Sequence, residues 1–467
     1  MTDVSGDQDT DASSGQEATR CDVVVVGLGP GGEATATELA KAGLSVVGVD
    51  ERLVGGECPY FGCIPSKMMI RAADSLAEAR RVPDLAGTVE VRPDWAPVAT
   101  RVRDEATDDW DDTVAVERLE KAGVRFVRGH ARLAGERTVE VDGRRFVASK
   151  GVVLNPGTAP AAPPIEGLAD TPFWTNRDAI RAETLPASLA IIGGGAIGAE
   201  LAQAFARFGV QVTVLEVADR VLALEEPESS ALLTEVFGRE GIQVLAGVTI
   251  GSVGHRDGRF SIALADQSIE ADKLLVAAGR RPNLSDLGLD TVGLDPHARS
   301  VEVDERMRAG EGLWAIGDVT GKGAFTHMSM YQSAIAVRDI LGTDGPTAQY
   351  HAVPRVTFTD PEVGSVGMTE KQARDAGLSV RVGHTDLASS ARGWIATAQG
   401  LVKLVEDADR GVLVGATSVG PSGGEILSML TTAVHAQVPT ATLRSMIYAY
   451  PTFHRAVEEA LKDLATT

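Results

Sequence analysis

Two cysteines five positions apart, Cys58 and Cys63, sit in a glycine-flanked segment, GGECPYFGCIPSK, at residues 55–67. A close pair of thiols offers two-electron chemistry, closing to a disulfide and opening again. In a regular helix five residues advance about 7.5 Å along the axis, beyond the usual Cα separation of roughly 4.4 to 6.8 Å in a disulfide. A distorted turn is therefore expected. Pro59 and Gly62 supply irregular backbone, with the helix proper starting near Cys63 or Pro65. A thiol at a helix N-terminus has its thiolate stabilised by the positive end of the dipole, and the thiolate is the reactive form.

Three other readings of the pair stay open. A tetrahedral zinc site needs about four ligands, and the one further cysteine, Cys21, is distant in sequence. A purely structural disulfide runs against a reducing cytosol. Two inert buried thiols fit poorly with the glycine-rich flanks and Pro65. Cys21 itself, at the head of an apolar run, reads as a small core hydrophobe.

The elements that must position this pair come from a unit that occurs twice. Residues 21–50 open with a continuous apolar run, as expected for a strand buried on both faces of a parallel sheet. A glycine turn follows, then helical periodicity over residues 34–42 closed by Gly43, then an apolar strand over 44–49 ending in Asp50. Residues 188–216 repeat the plan. Gly27 to Gly43 and Gly193 to Gly209 both span sixteen positions, and Gly27 to Asp50 and Gly193 to Glu216 both span twenty-three.

Each glycine has a separate purpose. The first (Gly27, Gly193) allows the tight turn, the second (Gly29, Gly195) lets the backbone approach a pyrophosphate, and the third (Gly32, Gly198) lets helix pack on strand. The phosphates then face the helix N-terminus. An acid closing the next strand accepts hydrogen bonds from an adenosine ribose, and Glu216 thus favours NAD over NADP. A glycine-rich turn without ligand is the competing reading of either copy alone.

At 467 residues, two to four domains are expected. Sixty-five acids against 44 bases leave a net charge of −21. That balance argues against nucleic acid or anionic membrane surfaces as partners. No apolar run is long enough for a bilayer span. Residues 1–19 are acidic and rich in Ser, Gly and Asp, read as a disordered tail and not a targeting signal, which leaves the cytoplasm as the default location. Residues 151–164, rich in Pro, Gly and Ala, suit a crossover between domains. Apolar strands are expected within 273–283 and 312–318, and a new mixture of short strands and helices begins near Tyr350.

GLGPGG with Asp50, GGECPYFGCIPSK, GGGAIGAE with Glu216, AAGRRPN, AIGD and PRVTFTDPEVGSVGMTE together resemble the class I pyridine nucleotide-disulfide oxidoreductases, the family of dihydrolipoamide dehydrogenase, glutathione reductase and mercuric reductase. The resemblance spans nearly the whole chain after Arg20. It implies an α/β fold of two Rossmann-like dinucleotide-binding domains plus an α+β C-terminal dimerisation domain. The FAD domain would comprise 20–150 and 280–345, the NAD domain 151–279, and the dimerisation domain 350–467. By position, Gly27, Gly29, Gly32, Asp50, Gly56, Lys67, Gly157, Asp318 and His327 would hold FAD, with Ala131 near the adenine. Gly193, Gly195, Gly198, Glu216, Val248 and Gly279 would hold NAD. The family works as a homodimer on a small-molecule thiol or disulfide. Reducing power passes between NADH, the flavin and the disulfide, with Cys63 facing the flavin and Cys58 exchanging with substrate. Lys67 and Glu200 would pair beside the flavin; a plain surface salt bridge is the other reading.

The chain departs from the family near its C-terminus. Thiol-reducing members carry His-Pro-Thr-x-x-Glu, whose His and Glu act as an acid/base dyad. Here the segment reads Tyr450-Pro451-Thr452-Phe453-His454-Arg455. A phenol, with an ordinary pKa near 10, shuttles protons less well at neutral pH than an imidazole near 6.5. Tyr450 stands as the catalytic candidate at that position, with a packing role at the dimer contact equally open. His454, helical spacing would place on another side, as a surface or interface residue. A flavin-centred NADH:quinone or metal-ion reductase is the alternative activity, and a non-catalytic redox sensor the reading from another class. Residues 155–158 read NPGT where the family has Ala-Thr-Gly, but the turn glycine, Gly157, is kept.

Overall fold

The structure, a computed structural model, describes residues 18–465. Most of the acidic tail expected at residues 1–19 lies outside the described residues. Thr19 already belongs to the first strand, Thr19–Val26. The chain divides into two compact units, residues up to Gly56 with Thr113–Gly157 and Pro282–Thr347, and Glu57–Asp112 with Thr158–Arg281 and Ala348–Thr467.

In the first unit the run Val23–Val26 forms the centre of an eight-stranded sheet, paired in parallel with Val46–Asp50 on one side and Arg144–Leu154 on the other. These valines are buried, as a strand covered on both faces requires. The helix begins at Pro30, earlier than its apolar periodicity indicates, because proline at the first position has no N–H to leave unsatisfied. That helix packs on Thr326–Leu341, with Thr35 Oγ1 and Ser333 Oγ 2.7 Å apart. The expected crossover at 151–164 starts later than its composition indicates. The strand Arg144–Leu154 runs through Gly151, where a Cβ would lie 2.0 Å from the Gly312 carbonyl oxygen. Glycine there permits close backbone approach inside a strand.

The second unit holds a parallel sheet in the order Gln243–Ala246, Gln211–Glu216, Ser188–Ile192, Lys273–Val276. Beside it is an antiparallel sheet of Ile250–Arg256, Arg259–Leu264 and Ser268–Ala271. Its first hairpin turns through Asp257 and Gly258, both at positive φ, as a two-residue loop demands. A five-stranded antiparallel sheet from Pro354 to Gly420 packs against the helices Gly423–His435 and Ala456–Leu464. The cysteine-bearing segment 57–112 belongs to this unit, whereas the sequence placed all of 20–150 together. Among the described residues no helix is long and apolar enough to cross a membrane.

Lys403, on the interior strand Leu401–Asp407, is only 3% exposed. Its ammonium donates to Glu226 Oε2 at 3.0 Å and Glu228 Oε1 at 2.8 Å and lies 3.0 Å from Glu370 Oε2. Burial works against the charge, but the three carboxylates prevail and hold the lysine above its ordinary range. Removing one partner of a buried pair leaves the other charge uncompensated, which costs about 3–5 kcal/mol. Lys403→Met is accordingly expected to lower unfolding stability by that order in chemical denaturation. Unchanged stability would show that the carboxylates around Lys403 do not need its ammonium.

Candidate active site

Both glycine turns are built alike. Gly27 and Gly193 have φ of +88° and +110°, which L side chains rarely adopt. A Cβ on Gly32 would lie 2.0 Å from the Gly27 carbonyl oxygen, and one on Gly198 1.9 Å from that of Gly193. The third glycine of each turn is therefore demanded by helix-on-strand packing. At Gly195, by contrast, a Cβ would meet no protein atom within 4 Å, so nothing in the protein itself requires glycine there.

The strand-ending acids repeat each other atom for atom. Asp50 accepts from Leu28 N at 2.7 Å and Arg52 N at 2.8 Å; Glu216 accepts from Gly194 N at 2.6 Å and Ala218 N at 2.7 Å. Each carboxylate thus pins the turn that precedes it. Burial pushes the Asp50 carboxyl up despite these two N–H donors. Val248 N donates to the Glu216 carbonyl at 3.2 Å, and Ala161 N to the Gly279 carbonyl at 3.0 Å.

In the first unit the structure gathers Gly27, Gly29, Gly32 and Gly56 into one place. A Cβ on Gly56 would come within 2.9 Å of Gly29 Cα. Gly157 has φ of +68°, and its carbonyl accepts from Asn283 N at 3.0 Å. Asp318 lies in the 3-10 turn Gly317–Thr320, Ala131 heads the short strand Ala131–Leu133, and His327 stacks on Phe325 with centroids 5.1 Å apart. Sequence reasoning passed over Asn155, noted only as a departure. Its amide donates to the Gly27 carbonyl at 3.2 Å, and its Oδ1 would lie 2.7 Å from a Cβ on Gly317. The unusual residue ties the glycine turn to the end of the strand Arg144–Leu154 and fills the space beside Gly317.

The cysteine turn is broken as its spacing requires. Cys58 lies in the short helix Glu57–Phe61, Gly62 interrupts at φ −131° and ψ −114°, and Cys63 opens the helix Cys63–Leu85. Cys58 is half-buried and Cys63 is exposed. Cys21 is buried, which pushes its thiol up to about 11, and its strand position matches the core role expected of it. The short helix is held from outside. Glu57 is gripped by the Arg177 guanidinium, Asn176 Nδ2 donates to the Phe61 carbonyl at 2.8 Å, and Trp110 Nε1 to that of Tyr60 at 3.1 Å. Arg181 lies over both Phe61 and Trp110, 4.8 Å from each ring centroid. Nothing in spacing alone marks Arg177 or Arg181, because they come from a helix 115 or more residues further on.

One turn into the cysteine helix, Lys67 Nζ donates to Glu200 Oε2 at 2.7 Å. Glu200 is buried, and its Oε1 accepts from Phe358 N at 2.8 Å, while the lysine sits 4.6 Å from the Phe358 ring centroid. The alternative of a plain surface pair is not what is seen, since one partner is buried and committed to a third element. Tyr450 is 70% exposed and lies in a turn with a cis peptide to Pro451. The helical spacing used to separate it from His454 therefore does not apply, because proline and the short 3-10 turn Phe453–Arg455 interrupt the helix there.

Comparison with known proteins agrees with this geometry. The family model for pyridine nucleotide-disulphide oxidoreductases matches residues 21–336, and that for their dimerisation domain matches residues 353–461. Dihydrolipoyl dehydrogenase of Thermus scotoductus is 33% identical over 464 residues, covering 95% of this chain and 97% of that protein. Mercuric reductase of Acidithiobacillus ferrooxidans is 32% identical, covering 98% of this chain and 84% of that protein. Among solved structures, LpdA from Mycobacterium tuberculosis superposes with a TM-score of 0.84 at 26% identity, covering 96% of this chain and all of that one. The HOCl-induced flavoprotein disulfide reductase RclA from Escherichia coli gives 0.82 at 26% identity, covering 95% and 99%. The paired glycine turns, the broken cysteine helix and the C-terminal dimerisation domain thus place this chain in the pyridine nucleotide-disulphide oxidoreductase family, as an FAD-dependent disulfide oxidoreductase that uses NAD(H).

Proposed function

We propose that this flavoenzyme is dihydrolipoyl dehydrogenase-like, exchanging electrons between NAD(H) and a small thiol or disulfide through Cys58 and Cys63. The observation that carries the reading is the helix break at Gly62, which sets one cysteine on each side of an irregular turn with Cys63 at a helix N-terminus. There the thiolate is favoured, so a disulfide between them is one that opens readily. In this reading FAD is held by 20–150 and 280–345, NAD by 151–279, and dimerisation falls to 350–467, in a cytoplasmic homodimer.

The residues present fit both cofactors. Gly29 and Gly195 keep the backbone bare where a pyrophosphate approaches, and Asp50 and Glu216 offer carboxylates to the riboses. FAD would rest on Gly27, Gly29, Gly32, Asp50, Gly56, Ala131, Gly157, Asp318 and His327, and NAD on Gly193, Gly195, Gly198, Glu216, Val248 and Gly279. Bound FAD supplies the two-electron relay between nicotinamide and sulfur. Lys67, fixed by Glu200, places a positive charge one turn from Cys63 and stabilises negative charge developing there. Cys58 exchanges with the substrate sulfur, and the Tyr450 hydroxyl hands the proton to the departing thiolate.

A second reading rests on the missing dyad: with Tyr450 and Arg455 where thiol-reducing members carry His and Glu, the enzyme would pass electrons to a quinone or metal ion, leaving the cysteines secondary. The similarity to mercuric reductase and the Cu(II) complex known for RclA support it.

In the leading reading, anaerobic NADH generates two titratable thiols per subunit in the wild type and none in Cys63→Ser. Unchanged quinone turnover by that variant would favour the second reading. Tyr450→Phe is expected to lower kcat with a disulfide substrate on the order of tenfold, as loss of a proton donor does, with quinone turnover unaltered. The two glycines of one turn separate folding from binding. Gly198→Ala forces a Cβ onto the Gly193 carbonyl and is expected to cost about 2 kcal/mol of stability. Gly195→Ala is expected to leave stability unchanged yet raise KM for NADH about tenfold, or about 1.4 kcal/mol. An unaltered KM would remove the pyrophosphate from that turn.

A further inference from the structure

The Lys67–Glu200 pair is one of two. Asp74, seven residues further along the cysteine helix, lies 2.6 Å from Arg207 Nη1, seven residues beyond Glu200 on the dinucleotide helix Ala196–Arg207. Both pairs span 133 residues of sequence, so the helices run parallel and in register, two turns separating one pair from the next. Counting back four positions from Lys67 and Glu200 reaches Cys63 and Ala196, the first residues of the two helices. Their N-termini therefore lie side by side at one level. Each is preceded by a glycine, Gly62 or Gly195, that offers no side-chain cap to the first amides.

The polarity of the pairs is reversed: Lys faces Glu in one, and Asp faces Arg in the other. Sliding the cysteine helix by two turns would bring Lys67 to Arg207 or Asp74 to Glu200, and like charges would meet. Only the observed register satisfies both pairs. Arg207 is itself rigidly held. It is 4% exposed, grips Glu240 at 2.9 and 2.7 Å, reaches Asp360 Oδ2 at 2.8 Å, and its carbonyl accepts from Arg80 at 2.7 Å. Between the two pairs, Gln203 exchanges hydrogen bonds with the Asp360 backbone at 2.9 and 2.7 Å. Burial, with the nearby Asp360 charge, pushes the Asp74 carboxyl up to about 6 against the pull of Arg207, so it is a carboxylate above that pH.

We propose that Asp74 and Arg207 are positioning residues that set the register of the cysteine helix against the dinucleotide helix, and so hold the Cys63 sulfur level with two helix N-termini. This rests on Cys63 being the redox thiol. The two positive helix ends favour its thiolate together, and a slipped helix loses the contribution of its neighbour.

The test uses the full-length reduced protein and the series Asp74→Lys, Asp74→Asn and Asp74→Glu. Alkylation of Cys63 is followed by mass spectrometry from pH 6.5 to 9.5, beside kcat, KM for NADH and the thermal midpoint. Asp74→Lys sets like charge against Arg207. It is expected to raise the alkylation midpoint by about half a pH unit or more, a change in the range that local charges produce, and to lower kcat on the order of tenfold. KM for NADH stays within about twofold, since binding is untouched. Asp74→Asn moves the same way by less, and Asp74→Glu restores the wild-type profile. If Asp74→Lys does not fold, Asp74→Asn decides, its side chain being 39% exposed and its loss leaving Arg207 its other partners. A lowered thermal midpoint with an unmoved alkylation profile overturns the proposal, as does an Asp74→Glu variant as impaired as Asp74→Lys. A shifted profile in a protein whose wild type forms no thiols on NADH addition would uphold the register and sink the redox reading instead.

Discussion

Glu200 is a carboxylate almost wholly withdrawn from water, and it has two partners: the Lys67 ammonium through one oxygen and the Phe358 amide through the other. A buried charge is tolerated only when paired and hydrogen-bonded. Three segments far apart in sequence are thereby obliged to meet, namely the cysteine helix, the dinucleotide helix and the strand end at Phe358. Gln203 and Arg207 extend the same polar stripe down one face of a helix whose other buried residues are Gly, Ala, Leu and Phe. An apolar face would have packed equally well in several registers, whereas complementary charges allow one.

The duplicated turn shows a related economy. In each copy one carboxylate is shared between the turn's own amide and the amide two residues past the strand, so Asp50 and Glu216 shape the loop before any ligand arrives. Glycines in these turns divide into two kinds. Gly32 and Gly198 are required by contacts within the protein, while Gly195 is required by none, and that difference separates a fold constraint from a ligand constraint.

The departures from the family acquire physical meaning in the same way. Asn155 replaces a smaller residue and spends its amide on the Gly27 carbonyl. Tyr450 stands on an exposed turn in a segment that the family model assigns to dimerisation.

By itself the sequence determined what is local or periodic: the valine run as a doubly covered strand, the two strand–glycine–helix–strand–acid units, the irregular turn between Cys58 and Cys63, and the helix start at Cys63. Short-range sterics decide each of these, and spacing records short-range sterics. The helix start at Pro30, the strand passing through Gly151 and the non-helical setting of Tyr450 were read less well, because proline placement and strand pairing overrode apolar period. Tertiary structure alone decided the alliances: Asp74 with Arg207, Arg177 with Glu57, Asn155 with Gly27, Lys403 with Glu226. Such charges and amides are common along any acidic chain, and their choice among many possible partners depends on which are buried together, a long-range outcome that no local pattern encodes.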